Sequence, residues 1–513
     1  YGTISGPGLD AIRELSSGNL TVNNFGTISG GHSVLFGSGN ANRLIAHPGA
    51  AFQGGVAMNA GGTLTVELAS AASAGTIGGF GGTFGTVNAI KVDSGAQWTI
   101  TGANSLANGV TLTDLGTLTN AGTITGSGKF IVDPTTFTNP GYMGVQVRLA
   151  AGSGLSNTST GTIKVAGTAV YGYGAPATVV NAGTIEGTGG SGVGLYLKAG
   201  GSIANTGTAA LISGGEAIDI QGAVGTVTNS GTITGLLQPA VVLGQGGSIA
   251  NNGTAALISG YTAVYIKGGA GTVSNAGTLK GTGLFANGVY LKAAGSVVNS
   301  GTGALISGGI DGVKIAGGDG VVTNAGTISG GTDAVLFGSG NDRLIVDPGA
   351  KFVGNVDGAA GTNVLELASG ASTGTISGLG TKYLNFSSIV VDPGANWVVS
   401  GSSVPPVTVG AGAYVDNAGT LTSSSGPVSY YQPGFGFIFV GPVAVYGTGS
   451  AVTAVNTGTI SSGGYPHTAI FLGHGGSVAN IGTAAYISAY TAGIRIGGGA
   501  GTVSNAGTLK GTG

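Results

Sequence analysis

The sequence predicts an all-β fold: a right-handed parallel β-helix, a solenoid with three short strands in each coil of about 24 residues. Three observations carry that expectation. The tetrapeptide Asn-x-Gly-Thr recurs with its Asn at 24, 120, 181, 205, 229, 251, 275, 299, 324, 417, 456, 480 and 505, and self-similarity at such a period marks a repeat architecture. Glycine supplies 110 of 513 residues, only 7% are charged, and 41% are hydrophobic. That balance excludes disorder, which needs low hydrophobicity and high net charge. It also excludes collagen, since the 14 prolines and irregular Gly spacing do not fit a Gly-X-Y repeat. Thirdly, apolar and polar residues alternate with the period of a strand, and no helix-length stripe interrupts them.

The unit "NAGTLKGTGLFANGVYLKAAGSVV" (275–298) shows the pattern. Its apolar segments are Thr278-Leu279, Val289-Tyr290-Leu291 and Ser296-Val297-Val298, separated by Gly or Asn-Gly. Val289 and Leu291 face inward, Tyr290 and Lys292 outward. Each coil pairs its strands with its neighbours at about 4.8 Å. About 21 coils would then make a rod on the order of 100 Å long, whose coils bury their apolar faces only by stacking. The corner residues Asn181, Gly183, Asn205, Asn229, Asn275, Asn299 and Asn324 are read as structural. Gly opens a backbone conformation closed to other residues. Asn tolerates the left-handed region and bonds its own backbone, and stacked Asn amides can bond along the axis.

A longer duplication overlies the coils. "FGTISGGHSVLFGSGNANRLIAHPGAAF" (25–52) matches "AGTISGGTDAVLFGSGNDRLIVDPGAKF" (325–352), and "YGTISG" (1–6) matches "FGTISG" (25–30). The chain therefore reads as one continuous solenoid over 1–513, with a first super-repeat over about 1–300 and a partial second over about 301–513. Two aromatic stretches, 129–149 and 429–446, break the pattern and are expected to be irregular insertions. Phe130, Phe137, Tyr142, Tyr430, Tyr431, Phe435, Phe437 and Phe439 form the candidate contact surface, since aromatics in loops with Pro and Gly make protein contacts or stack on sugars. An outward ladder of Tyr196, Tyr265 and Tyr290 is a weaker candidate. Neither end carries a polar capping segment, so the chain reads as a piece of a longer rod or as one that stacks end to end.

A formal net charge of −2 without basic runs gives no footprint for nucleic acid. No apolar run is long enough for a membrane helix, so this segment is not expected to insert in a membrane. With no cysteine there is neither a disulfide framework nor a thiolate metal site. "GSGNDRLIV" (338–346) resembles the calcium-binding RTX nonapeptide, with Asp342 and Asp347 as candidate ligands. Calcium needs six or more oxygens, so a Gly-Asn-Asp turn entering a strand is the competing interpretation. Glu216 and Asp219 are the best carboxylate pair, but no second carboxylate stacks on Asp219, whose outward column holds Tyr196, Val242, Tyr265, Tyr290 and Lys314. No catalytic residue, resident metal or cofactor is therefore expected.

The pattern over 324–370, "NAGTISGG" through "AVLFGSGND" to "LELASG", resembles passenger regions of bacterial autotransporters and large haemagglutinin-like surface adhesins. What the resemblance implies is a secreted right-handed β-helix on the outer surface of a Gram-negative cell. The expected function is a structural or adhesive extracellular rod that self-associates end to end or laterally into fibres and meets glycan or a neighbouring cell surface. The alternatives are a glycan-active enzyme or lectin on the same scaffold, and thirdly a calcium-stabilised rod.

Overall fold

The structure, a computed structural model, describes residues 2–403, 405–423, 428–432 and 436–513; side chains at 403, 423, 428–432 and 436–439 lie outside the description. Among the described residues there are strands and no helices. The chain divides into two compact units, Tyr1–Gly268 and Gly269–Gly513. Each is a parallel β-solenoid.

In the first unit, Ala177–Asn181 pairs with Gly201–Asn205, then Gly225–Asn229, then Gly247–Asn251, all in parallel. Thr184–Thr188, Leu211–Gly214, Thr232–Gly235 and Leu257–Gly260 form a second ladder. Val193–Leu197, Glu216–Ile220, Val241–Leu243 and Val264–Ile266 form a third. Alternation sends Val179, Ile203, Val227 and Ile249 inward from the first ladder and Ile185, Ile212, Ile233 and Ile258 from the second, all 1% exposed or less. Leu197, Ile220, Leu243 and Ile266 close the column from the third. Each such side chain contributes about 1.5–3 kcal/mol relative to exposure, and like residues stack on like because the register is unshifted.

The repeated Asn stands where the first ladder turns into the second. Asn120, Asn139, Asn157, Asn181, Asn205, Asn229 and Asn251 are all buried, and each Nδ2 donates to the Oδ1 of the next at 2.7–2.8 Å. The same amide also donates to backbone carbonyls of the corner, as Asn181 does to Gly183 and Leu211. In the second unit Asn275, Asn299 and Asn324 continue the pattern at 2.8 Å, as do Asn417, Asn456, Asn480 and Asn505 at 2.7–2.9 Å.

Two corners alternate along this line. After Asn181 and Asn229 the next strand begins at the third residue; after Asn205 and Asn251 it begins at the sixth. The corner glycines differ accordingly. Gly207 and Gly253 have φ of 87° and 92° with open space beyond, as expected for a turn glycine. Gly183 does not have positive φ; a Cβ there would overlap the carbonyl oxygens of Gly161 and Thr158. Its constraint is close stacking of backbone on backbone, a correction to the expected cause.

The stretch 129–149 is not an irregular insertion. It supplies the strands Lys129–Val132, Thr136–Asn139, Tyr142–Met143 and Val147–Leu149, each in parallel register with the following strands. Its coils are merely short: 19 residues separate Asn120 from Asn139 and 18 separate Asn139 from Asn157. Within 429–446 the strand Val443–Gly447 is a regular solenoid strand, parallel to Val407–Val409 and to Thr468–Leu472; the departure lies before it. Val428–Gln432 and Gly436–Gly441 form an antiparallel hairpin, set between Asn417 and Asn456, which pair across adjacent coils although 39 residues apart. Val440, at its base, packs with Val443 and Phe471, against which Tyr446 also lies.

The long duplication is structural too. Arg43 forms a two-point ion pair with Glu67 at 2.9 and 2.7 Å, and Arg343 pairs with Glu366 at the matching place. Trp98 and Trp397 are buried and donate their indole N–H to the carbonyls of Ala69 and Ala368 at 3.0 and 2.9 Å.

Candidate functional site

The outward faces of the three ladders in the first unit differ in chemistry. The first carries Thr178, Ser202, Thr226 and Ser248 in register, the second Glu186, Ser213, Thr234 and Ser259. The third carries Arg148, Tyr171, Tyr196, Asp219, Val242 and Tyr265, one above the other on successive strands. Beyond the Lys164–Glu186 ion pair on the second, these two columns are small and hydroxylated, whereas the third runs through large aromatic and charged side chains. Because outward positions carry no packing duty toward the core, this concentration is the candidate site.

Its upper part is a cation-aromatic cluster. The Arg148 guanidinium lies 5.2 Å from the Tyr171 ring and 5.4 Å from Tyr173, those two rings stack at 5.6 Å, and Tyr196 sits 5.6 Å from Tyr171. Arg148 also donates to Gln146 Oε1 at 3.2 Å, which holds the guanidinium over the rings. The middle is carboxylic. Gln221 donates to Asp219 Oδ1 at 2.6 Å. Burial pushes Glu216 up to about 7, with Asp219 adding to the rise and Lys267 opposing it. Asp219 is also raised, chiefly by burial, while Gln221 and Lys267 favour its charged form. Val242 is covered between Asp219 and Tyr265, and Lys267 lies 5.2 Å from the Tyr265 ring. The strip can therefore stack a flat apolar face on tyrosines and bond hydroxyls through carboxylates, amide and cations.

The expected contact surface lies elsewhere in part. Phe130 and Phe137 are fully buried and meet edge to face at 4.5 Å; they are core, because the coil they belong to is regular. Tyr142 is half-buried. Tyr430, Tyr431, Phe437 and Phe439 lie in the hairpin strands, their side chains outside the description, and Phe435 lies outside the described residues. The column through Tyr196, Asp219, Val242 and Tyr265 was legible from the repeat, and in the second unit Tyr290 is in register with Lys314. Arg148 and Tyr171 were missed because the period was lost between 120 and 181.

Asp342 and Asp347 bracket the strand Arg343–Val346. At about 3.3 Å per residue they stand too far apart to share one ion, which corrects the calcium pair read from the motif. Asp342 instead fills an Asn place. Asn42, its counterpart, accepts from the Leu20 N–H and donates to the carbonyls of Gly37 and Gly39 at 3.3 and 3.0 Å. Asp342 Oδ1 accepts from the Gly320 N–H at 2.6 Å, but Oδ2 is buried without a partner. Among the described residues no three His, Cys, Asp or Glu side chains converge as a metal-holding group, and no helix is long and apolar enough to cross a membrane. No protein-family model, curated protein or solved structure matches the chain.

Proposed function

We propose that the chain is an extracellular structural and adhesive rod of a bacterial surface, and that the strip from Arg148 to Tyr265 is the face that meets saccharide. The reading takes the coil as right-handed with three strands per turn, the hand that parallel crossover connections adopt. One observation carries it: of the three outward columns described, one sets Arg148, Tyr171 and Tyr196 in register as rings beside a guanidinium and continues to Asp219, whereas the second carries the Lys164–Glu186 ion pair and then Ser and Thr, and the first Ser and Thr. A ladder of rings at strand spacing suits an extended chain of flat sugar units better than a single small molecule. Probing a glycan array with the protein tests it. Tyr171→Ala and Tyr196→Ala are each expected to cut retention about 2- to 10-fold, since an aromatic contact contributes about 0.5–1.5 kcal/mol, while Ser202→Ala changes nothing. Retention that ignores both tyrosines would sink the assignment.

A second reading, a glycan-active enzyme, is favoured by Glu216, whose raised pKa of about 7 beside Asp219 suits a proton donor. Release of sugar fragments, abolished in Glu216→Gln, would select it; retention with no fragments selects the adhesive rod. Self-association into fibres belongs to the adhesive reading, with the low charge of 7% favouring lateral contact. Only dispersed particles in electron micrographs at high concentration would count against it.

A further inference from the structure

The outward side of the first ladder carries no charge over nine successive strands of the first unit. They run in parallel from Gly75–Gly78 through Thr117–Asn120 and Thr136–Asn139 to Gly247–Asn251. None of the nine contains Asp, Glu, Lys, Arg or His. The second ladder, by contrast, holds the Lys164–Glu186 ion pair, and the third holds Arg148 and Asp219.

On these strands two side chains leave the outward face, two residues apart. Thr117 with Thr119, Thr136 with Thr138 and Thr226 with Thr228 are such pairs, and the residue between each pair is buried in the core or faces inward. Thr76 stands in register with Thr99, Thr99 with Thr119, and Thr119 with Thr138. From Thr76 to Ala250 this column holds only Thr, Ser, Val and Ala. From Thr117 to Ser248 its neighbour holds only Thr and Ser, apart from Gly154.

The two columns make a lattice that repeats in two directions. Neighbours along a column stand about 4.8 Å apart, and the columns stand about 6.6 Å apart, two residues at about 3.3 Å each. Threonine holds χ1 stiffly, so hydroxyl and methyl groups keep their places on the lattice. At corners, Thr158 and Thr206 return their hydroxyls to the carbonyls of Asn139 and Asn181 at 3.5 and 3.2 Å. Among the described residues the hydroxyls of Thr117, Thr119, Thr136 and Thr138 bond no protein group, so each presents a donor and an acceptor to water.

We infer that this threonine face binds ice. Its two spacings are close to the two repeats that oxygen atoms take on a prism face of hexagonal ice, so waters held by successive hydroxyls fall at lattice places. The methyl groups between them let neighbouring waters bond one another rather than the protein. A charged group would hold a hydration shell of its own and break the match, which is why its absence from all nine strands bears on the ligand. Nine strands carry the match over about 38 Å, eight steps of about 4.8 Å. Many weak contacts add on a surface that loses no freedom on binding. A dissolved saccharide has no such repeat in two directions, and the inference does not depend on the saccharide strip, which lies on the third ladder.

The test places the full chain around a single seed crystal of ice and follows its growth as the solution is cooled. The crystal should stop growing over an interval below its melting point, and fluorescently labelled protein should coat it. Thr119→Lys and Thr138→Lys each set a charge in the middle of the lattice and should abolish both the interval and the coating. Ser213→Lys, on the outward side of the second ladder, should keep both. All three positions point away from the core, and circular dichroism checks that each variant is folded. Uninterrupted crystal growth with no coating would overturn the assignment, as would an interval retained by both threonine variants. A dimer in sedimentation that the same lysines dissolve, with the ice left bare, would overturn it in favour of pairing between two copies of this face.

Discussion

At the scale of single residues, the repeat works through donors, acceptors and bare backbone rather than through reactive groups. Gly183 and Gly207 occupy the same motif place for different reasons, and substitution separates them. In Gly183→Ala the new methyl overlaps the carbonyls of Gly161 and Thr158, both backbone and unable to move without breaking the ladder. Gly207→Ala meets open space and bears only the left-handed strain at φ 87°, about 1–2 kcal/mol. Urea denaturation should therefore show a modest loss for Gly207→Ala and a much larger loss, or no folded protein, for Gly183→Ala. Asp342 supplies a pH prediction. Burial raises its pKa from 3.8 to about 6, the Gly320 N–H opposing and Asp319 reinforcing the shift. The folded state holds that proton more tightly than the unfolded chain does. Its favourable contribution is therefore full below about pH 3.8, falls as pH rises, and is lost above about pH 6. Asp342→Asn restores the amide that Asn42 uses and removes the titration. The variant should be more stable by about 1–3 kcal/mol at about pH 7.5, the gap shrinking toward about pH 4; a gap independent of pH would refute this.

At the scale of strands and corners, the coil around Phe130 and Phe137 shows what the sequence could and could not reveal. Phe137→Ala should cost about 3–5 kcal/mol, as a fully buried ring leaving a cavity does. Tyr142→Ala, at a half-buried outward place, should stay near neutral in thermal unfolding. If Phe137→Ala were instead neutral for stability and harmful to glycan retention, the ring would be a contact residue after all. The Asn-x-Gly-Thr period exposed the strands from 181 to 324 because every coil there shares both the Asn and the glycine behind it. It hid Asn139 and Asn157, which are followed by Pro140-Gly141-Tyr142 and by the longer Thr158–Gly161 corner. The ladder needs only the amide; Gly-Thr is an accessory of one corner type. Losing those two corners also lost Arg148 and Tyr171 from the outward strip, whereas Tyr196, Asp219 and Tyr265 were found in register.

At the scale of the whole molecule, stability is a sum of coils and their neighbour interfaces, so length should be adjustable in units of one coil and in no other. Residues 205–228 make one such unit, since Asn205 stacks directly on Asn229, 24 positions further along the chain. Their removal joins Ala204 to Asn229, so that Asn181 meets Asn229 while Val179 stays on Ile203, preserving every inward position. It also sets two short corners side by side, an arrangement the chain already uses where Asn120 precedes Asn139. Removing only 205–216 would shift the register of everything after it, sending apolar residues outward and the Asn amides out of line. The whole-coil deletion should keep the strand-type circular dichroism spectrum and a cooperative thermal transition, whereas the half-coil deletion should lose both. The whole-coil deletion also probes the outward strip. It removes Glu216 and Asp219 and sets Tyr196 against Val242, so the rings of Tyr171 and Tyr196 survive while the carboxylates vanish. Saccharide retention that persists in the folded deletion variant assigns recognition to Arg148, Tyr171 and Tyr196; its disappearance assigns an essential share to Glu216 and Asp219. Cleavage of a glycan by that variant would exclude the carboxylate pair as the proton donor and leave the enzymatic reading without its one supporting observation.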